Sequence, residues 1–320
     1  MVKWENKIAK IALPTPFAVG DVNVYVVKGD ALTLIDTGVK TKESKEVLAY
    51  KLGELGLKIG DIEQIILTHH HPDHAGGLDF FDRGVPVYGH KNNQRWLELS
   101  DEFIHMHNQF FLEYGGKCGL TEELKDKLIR TREEKRFLSN RKLAGFLAEG
   151  DELPGLPGWK AIETLGHAQS HLSFYRESDG VLIGGDHLIA KVSPNPIMEP
   201  PLLPNGERPK PLLQHNESLR KLLHLPISKV YSGHGEEVEE VKELIHFRLT
   251  RQHDRAMHVK KMLEEKPLTV FEVCKQLFPK IYSKEVDLTM WETVGQLDYL
   301  EDLGEIQSET QSGLTLFSIA

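Results

Sequence analysis

Cysteine is nearly absent. Cys118 and Cys274 are the only two among 320 residues and lie far apart, which excludes a disulfide framework and suits a reducing compartment. No apolar run approaches the roughly 20 residues needed to cross a bilayer, and Met1-Val2-Lys3-Trp4-Glu5-Asn6-Lys7 has no apolar signal core. The cytoplasm is therefore the expected compartment, with no membrane partner. Basic charge is also short: 39 Lys and Arg face 48 Asp and Glu, a net charge of −9. That balance gives no long-range pull toward nucleic acid and favours a small-molecule substrate. Nothing spells a Gly-x-Ser-x-Gly elbow, and no internal repeat or low-complexity tract stands out.

What is abundant is histidine in one place. Thr68-His69-His70-His71-Pro72-Asp73-His74 follows Ile62 to Leu67, a short apolar run that reads as a buried strand, and Pro72-Asp73 resembles a turn entering a helix. In extended backbone the period of two points His69 and His71 the same way, while Asp73 and His74 lie past the bend and His70 points elsewhere. Imidazole and carboxylate suit borderline divalent ions, and the lack of nearby cysteine argues against a structural zinc cage. The loop points to a hydrolytic metal site.

Further donors follow apolar runs and begin loops, where open α/β sheets carry functional groups. His167 stands after Trp159 to Glu163, Asp186 closes Val181-Leu182-Ile183-Gly184-Gly185, and His234 closes Val230-Tyr231-Ser232-Gly233. Asp36, after Leu32 to Ile35, reads as an acceptor that orients a ligand histidine or as a turn residue. His171 is expected to make a structural hydrogen bond, and His187 to face either substrate or solvent.

On these residues the chain resembles the metallo-β-lactamase superfamily: His69, His71, Asp73 and His74 form its signature loop, His167, Asp186 and His234 follow in order, and Asp36-Thr37-Gly38 is the supporting early motif. The likeness spans most of residues 10 to 240. It implies an α/β fold, a four-layer αβ/βα sandwich of two mixed sheets, with a dinuclear, glyoxalase II-like core. By resemblance, His69, His71 and His167 hold one metal, Asp73, His74 and His234 a second, and Asp186 bridges them. The cofactors implied are two divalent ions, zinc first, with manganese or iron accepting the same donors. A hydroxide bridged by both ions would be the nucleophile, and Asp73 could also serve catalysis by taking a proton from the attacking water.

The remaining chain is read as a catalytic domain over residues 1–245 and a smaller domain over 246–320. Val22 to Val27 and Leu32 to Ile35 form a hairpin-like pair, a helix runs from about Thr41 to Leu55, and Val85 to Tyr88 is another strand. An insertion at about 91–150 carries Phe103, Met106, Phe110 and Tyr114 as one helical stripe, to be buried or to cap the metals. The proline-rich stretch Lys191 to Pro201, continuing to Pro204, Pro209 and Pro211, predicts a stiff loop near the site, either with Ser193 and Asn195 able to donate to a substrate oxygen or as a surface connection that binds no ligand. After His234, Glu236 to Glu264 is helical, Pro267 breaks it, Thr269 caps a second helix, and Thr289 to Leu303 forms a third. A hairpin from Glu305 to Ile319 completes a winged-helix-like α+β unit, similar to that of the mitochondrial endoribonuclease-like branch.

That likeness raises a metal-dependent RNA or DNA phosphodiesterase as the alternative to a hydrolase of small esters, thioesters or lactones, with a non-catalytic interaction protein third. Residues 251–320 hold eight Lys or Arg against twelve Asp or Glu, whereas a nucleic-acid-binding wing would present a basic face. Packing or homodimerisation is the expected role of this unit. Arg248, Arg251, Arg255, Lys260 and Lys261 are the best argument for phosphate contact, against a solvated helix face.

Overall fold

The computed structural model describes residues 1–129, 135–203 and 206–320; Pro204 of the proline-rich stretch lies outside them. Thirteen described strands run in order β1 (Ile8–Leu13), β2 (Val22–Lys28), β3 (Leu32–Ile35), β4 (Gln64–Ile66), β5 (Val87–His90), β6 (Gly145–Leu147), β7 (Trp159–Glu163), β8 (Leu172–Arg176), β9 (Val181–Gly185), β10 (Lys229–Ser232), β11 (Leu268–Thr269), β12 (Ile306–Gln311) and β13 (Leu314–Ile319). The described α-helices are α1 (Lys42–Glu54), α2 (Pro72–Ala75), α3 (Asn93–Glu98), α4 (Asp101–Lys117), α5 (Glu122–Lys125), α6 (Pro211–Leu222), α7 (Val241–Met262), α8 (Val270–Leu277) and α9 (Val286–Asp302).

Strand alternation explains the layering, because successive side chains leave opposite faces of a sheet. The first sheet has the order β1-β2-β3-β4-β5-β6 and the second β10-β9-β8-β7. Val24, Val26, Leu34 and Ile65 leave one face of the first sheet and pack on Leu48 and Leu52 of α1. From its other face Tyr25, Val27, Ile35 and Ile66 meet Trp159, Phe174, Ile183 and Tyr231 of the second sheet. The far side of that sheet, Ile162, Tyr175, Leu182 and Val230, is covered by Leu219 and Leu222 of α6 and Val241 and Ile245 of α7. Helix, sheet, sheet, helix is the four-layer sandwich anticipated. Strands buried on both faces read as continuous apolar runs, which is why β4 and β9 were legible.

Topology then gathers the loops. β3 and β4 pair in parallel, and so do β9 and β10, while β7 and β9 each run antiparallel to β8. The segments that follow β7, β9 and β10 therefore emerge at one edge. An isolated bridge from Val22 to His234 and a hydrogen bond from Leu172 N to Thr68 O join the two sheets there.

Local signals hold with small shifts. Thr41 caps α1 by accepting from Ser44 N, and Thr269 with Glu272 makes a reciprocal capping box on α8, a device worth ~1 kcal/mol. β5 starts two residues later than expected, because Val85 N closes a turn on Asp82 O. In α4 the buried line is Phe103, His107, Phe111 and Gly115, not the stripe through Met106, Phe110 and Tyr114. The core runs straight along the spacing of four, and Phe110 and Tyr114 flank it half-buried.

The terminal elements share a core with the insertion. Phe111, Cys118, Leu120 and Leu128 pack with Met198 and with Ala256, Val259, Val273, Trp291 and Phe317. Their small sheet has the order β11-β13-β12. Residue 245 lies within α7, whose first half covers the second sheet and whose second half enters this terminal core.

Candidate metal centre

The histidine loop runs from β4 into α2, with Pro72 at the first helical position, where its missing N–H would be unpaired anyway. His69 Nε2 and His71 Nδ1 lie 2.9 Å apart, as two rings aimed the same way should. Donor atoms of His69, His71 and His167 lie within 4.8 Å of one another, as do those of His69, His74 and Asp186, and those of Asp73, His74 and His234. Asp186 reaches the Nε2 atoms of His74 at 3.3 Å, His234 at 3.4 Å and His167 at 3.5 Å. Asp73 Oδ2 stands 3.3 Å from His234 Nε2. All seven anticipated residues thus meet in one cluster.

The cluster leaves donors unmatched. Nε2 of His74, His167 and His234 and Oδ1 of Asp186 are buried without a hydrogen-bond partner. Each such atom costs ~1–3 kcal/mol if left unsatisfied, and divalent cations among them would satisfy all four. Gly233 makes the approach feasible, since a Cβ there would stand 2.1 Å from Asp186 Oδ1 and 2.9 Å from His74 Cε1. On chemistry and on space these residues could hold divalent metal ions.

The opposite ring nitrogens are fixed. His167 Nδ1 donates to Asn195 O at 2.9 Å and His234 Nδ1 to Asp21 O at 2.8 Å. A carbonyl only accepts, so both rings carry a proton on Nδ1 and turn Nε2 toward the cluster as the atom free to ligate once it bears no proton. Asp36 works harder: Oδ1 accepts from Thr68 N, while Oδ2 accepts from Thr68 Oγ1 and from His74 Nδ1. Since Thr68 gives its hydroxyl proton to Asp36, it accepts from His69 Nδ1 at 3.0 Å. Asp36 takes this position at a left-handed φ of 59°, a strained setting tolerated best by Asp and Asn. Thr37 N and Oγ1 both donate to His74 O. The early Asp-Thr-Gly motif is therefore the cradle of His74.

His171 is an orienting residue too. Its Nε2 accepts from Asp186 N at 3.0 Å, so its Nδ1 donates to Thr164 Oγ1, which passes the direction to Ser173 and then to Gly184 O. His70 leaves the cluster, stacks on Trp96 at 4.4 Å and bonds to Ser170 Oγ. His187 does not face solvent: it is fully buried and packs on His215 at 4.7 Å. The proline-rich loop reaches the cluster, as its place in the chain predicts. Asn195 contributes its backbone carbonyl to His167, and Ser193 Oγ is buried without a partner. The carbonyls of Asp21 and Asn195 were invisible in the sequence because any residue supplies one, whereas Thr68 stood in plain view beside the ligands.

Electrostatics divides the cluster. Burial pushes His69, His71 and His167 below the usual histidine range, so these rings are neutral and able to donate lone pairs. At His74 burial acts in the same sense, but Asp186, Asp73 and Asp36 outweigh it and raise the pKa well above its usual value. His234 is pushed up to about 10, burial being overcome mainly by Asp186. Burial would raise both carboxyls, yet His74 and His234 hold Asp186 well below the usual range, and Asp73 is lowered likewise, by His74 first.

Residues 18–234 match the sequence profile of the family described as the metallo-beta-lactamase superfamily. The chain belongs to that superfamily. It is a hydrolase of the superfamily, and it is 44% identical over 315 residues, 98% of each chain, to a protein named probable metallo-hydrolase YqjP of Bacillus subtilis (strain 168). A metallo-beta-lactamase family protein of Thermus thermophilus superposes with a TM-score of 0.82 at 28% identity, covering 99% of both chains. A beta-lactamase domain protein of Burkholderia ambifaria shares the fold with a TM-score of 0.79 at 21% identity, over 99% of this chain and 94% of its own. The superfamily member described here thus has structural counterparts along its whole length, terminal elements included.

Proposed function

We propose that this superfamily hydrolase is dinuclear, glyoxalase II-like in its core, and cleaves a small ester, thioester or lactone. The observation that carries the reading is the set of four buried, converging donor atoms without hydrogen-bond partners. In it His69, His71 and His167 would hold one divalent ion and Asp73, His74 and His234 the other, with Asp186 reaching toward both groups of histidines. Zinc suits the donors best, with manganese or iron as alternatives. Two such ions would lower the pKa of a shared water and polarise the substrate's carbonyl oxygen. The chain's own residues set the stage for that chemistry. Asp36 and the carbonyls of Asp21 and Asn195 keep the imidazoles in the ligating tautomer, His171 aims Asp186, and Asp73 can accept the proton released by the attacking water.

The substrate class rests on charge and on how the basic cluster is used. Arg248 donates to the carbonyls of Ile189, Ala190 and Val192, Arg255 pairs with Glu292, and Lys260 with Glu305. Three of the five candidate phosphate contacts are thus engaged inside the molecule. With a net charge of −9, a small substrate is favoured over a polynucleotide. We read α7, α8, α9 and the β11-β13-β12 sheet as a winged-helix-like unit whose role is packing: its core takes in α4 and Met198. Among the described residues no helix is long and apolar enough to cross a membrane, and Cys118 and Cys274 are free and buried; both fit the cytoplasm.

Elemental analysis of freshly purified protein should return about two divalent ions per chain. A panel of thioesters and lactones should be hydrolysed, single-stranded RNA left intact, and activity lost in His69→Ala. RNA cleavage that scales with enzyme and disappears in that variant overturns the substrate class. Turnover retained by a metal-free sample sinks the metallo-hydrolase reading itself.

A further inference from the structure

Glu199 lies in the proline-rich loop and is 2% exposed. A carboxylate so buried needs donors, and it has three from two other segments. Arg95 Nη2 at 2.6 Å and Trp96 Nε1 at 3.0 Å, both from α3, donate to Oε2, and Gln169 N donates to Oε1 at 2.6 Å. Gln169 is two residues past His167, whose Nδ1 is held by the carbonyl of Asn195, four residues before Glu199. The loop therefore grips the His167 segment twice, once at the ring and once at the backbone. Trp96 closes the circuit, stacking on His70 with an interplanar angle of 6°, and His70 bonds to Ser170 Oγ at 2.8 Å, beside Gln169. His70 is flanked by His69 and His71. The ring of contacts thus joins the backbone carrying His69 and His71 to the backbone carrying His167, and touches neither Asp73 nor His234.

We infer that Glu199, acting with Trp96 and His70, is a positioning residue for the His69–His71–His167 half of the centre alone. The inference rests on the two-metal reading above. A buried carboxylate that orients ligands commonly changes metal affinity by ~10–100-fold when it is removed. The side of the centre built on Asp73, His74 and His234 has its own supports, Asp36 and the Asp21 carbonyl, and owes nothing to Glu199.

Cobalt(II) binding in two single-site backgrounds tests this. His234→Ala leaves the three-histidine half and His71→Ala leaves the other. Glu199→Gln keeps the shape but presents an amide N–H₂ to donors. It should weaken cobalt binding at least ~10-fold and alter the cobalt absorption spectrum in the first background, with less than ~2-fold change in the second. Trp96→Phe, which keeps the stack on His70 and removes one donor, should produce a smaller loss in the same background only, and it decides the matter if Glu199→Gln does not fold. Equal weakening in both backgrounds, or none in the first, overturns the clamp while leaving the two-metal reading intact. A wild-type chain that takes up no cobalt sinks both.

Discussion

His69, His71 and His167 on one side and Asp73, His74 and His234 on the other use nearly the same side chains within one cluster, yet they treat protons in opposite ways. Burial is the largest influence on every one of the histidines. In the first trio Asp186 and its neighbours offset it only in part and the rings are neutral; in the second, Asp186 and Asp73, joined at His74 by Asp36, reverse it and the rings hold protons when no cation competes. Carboxylate placement, not histidine itself, decides what a ligand histidine does before metal arrives. On the two-metal reading proposed above, the first half would be ready to bind and the second would have to release protons to do so.

Breaking the comparison at its hinge should have the largest effect. Asp186→Ala removes the carboxylate that faces both halves, and turnover should fall by well over ~100-fold, beyond the usual loss for a residue that merely orients a ligand. In the metal-free variant the His234 ring, now at about 10, should titrate at lower pH by NMR, because its principal counter-charge is gone. An unchanged His234 titration would mean that some other group sustains the contrast.

Metal uptake against pH sharpens the same contrast. A cation entering beside His234 must displace a proton bound with a pKa of about 10, so below that value apparent affinity should fall ~10-fold per pH unit for each proton displaced. The three-histidine half, lowered below the ordinary value, should be nearly flat between about pH 7 and 8. Titrations in the His234→Ala and His71→Ala backgrounds would read the two slopes; equal slopes would erase the distinction. Asp36→Asn comes next in size. Asn tolerates the left-handed backbone but can no longer accept all of the donors from Thr68 and His74 that Asp36 accepts, and chelator competition should show ~10–100-fold weaker binding in the His74 half.

The sequence was most legible where chemistry depends on residue type and spacing. The cluster of His69, His71, Asp73, His74, His167, Asp186 and His234 could be read because imidazoles and carboxylates announce themselves, and the sandwich because doubly buried strands are apolar runs. Support from backbone carbonyls had no such signature, so those of Asp21 and Asn195 went unseen. Glu199 stood within a stretch already singled out, but its partners Trp96 and Gln169 are 103 and 30 residues distant and only the fold joins them. The stripe on α4 was misplaced by one position because a histidine, His107, occupies a core site that an apolar count passes over.

That same His107 supplies the smallest and cleanest check. It is buried on α4 outside the metal cluster, and burial lowers its pKa to about 4, the opposing effects of Asn108 and Glu199 being weaker. In the unfolded chain it titrates near the ordinary ~6.5. Between those values the unfolded state binds more protons than the folded state, so stability present above about 6.5 is lost as pH falls toward 4. From pH 7 to pH 5 this one group should account for about 2 kcal/mol. Urea unfolding of metal-free protein at both pH values, in the wild type and in His107→Gln, isolates it: the variant should lose less stability on acidification. An identical loss in both proteins would show that burial alone does not keep this histidine neutral, and would remove the reference against which the carboxylate effect on His74 and His234 is measured.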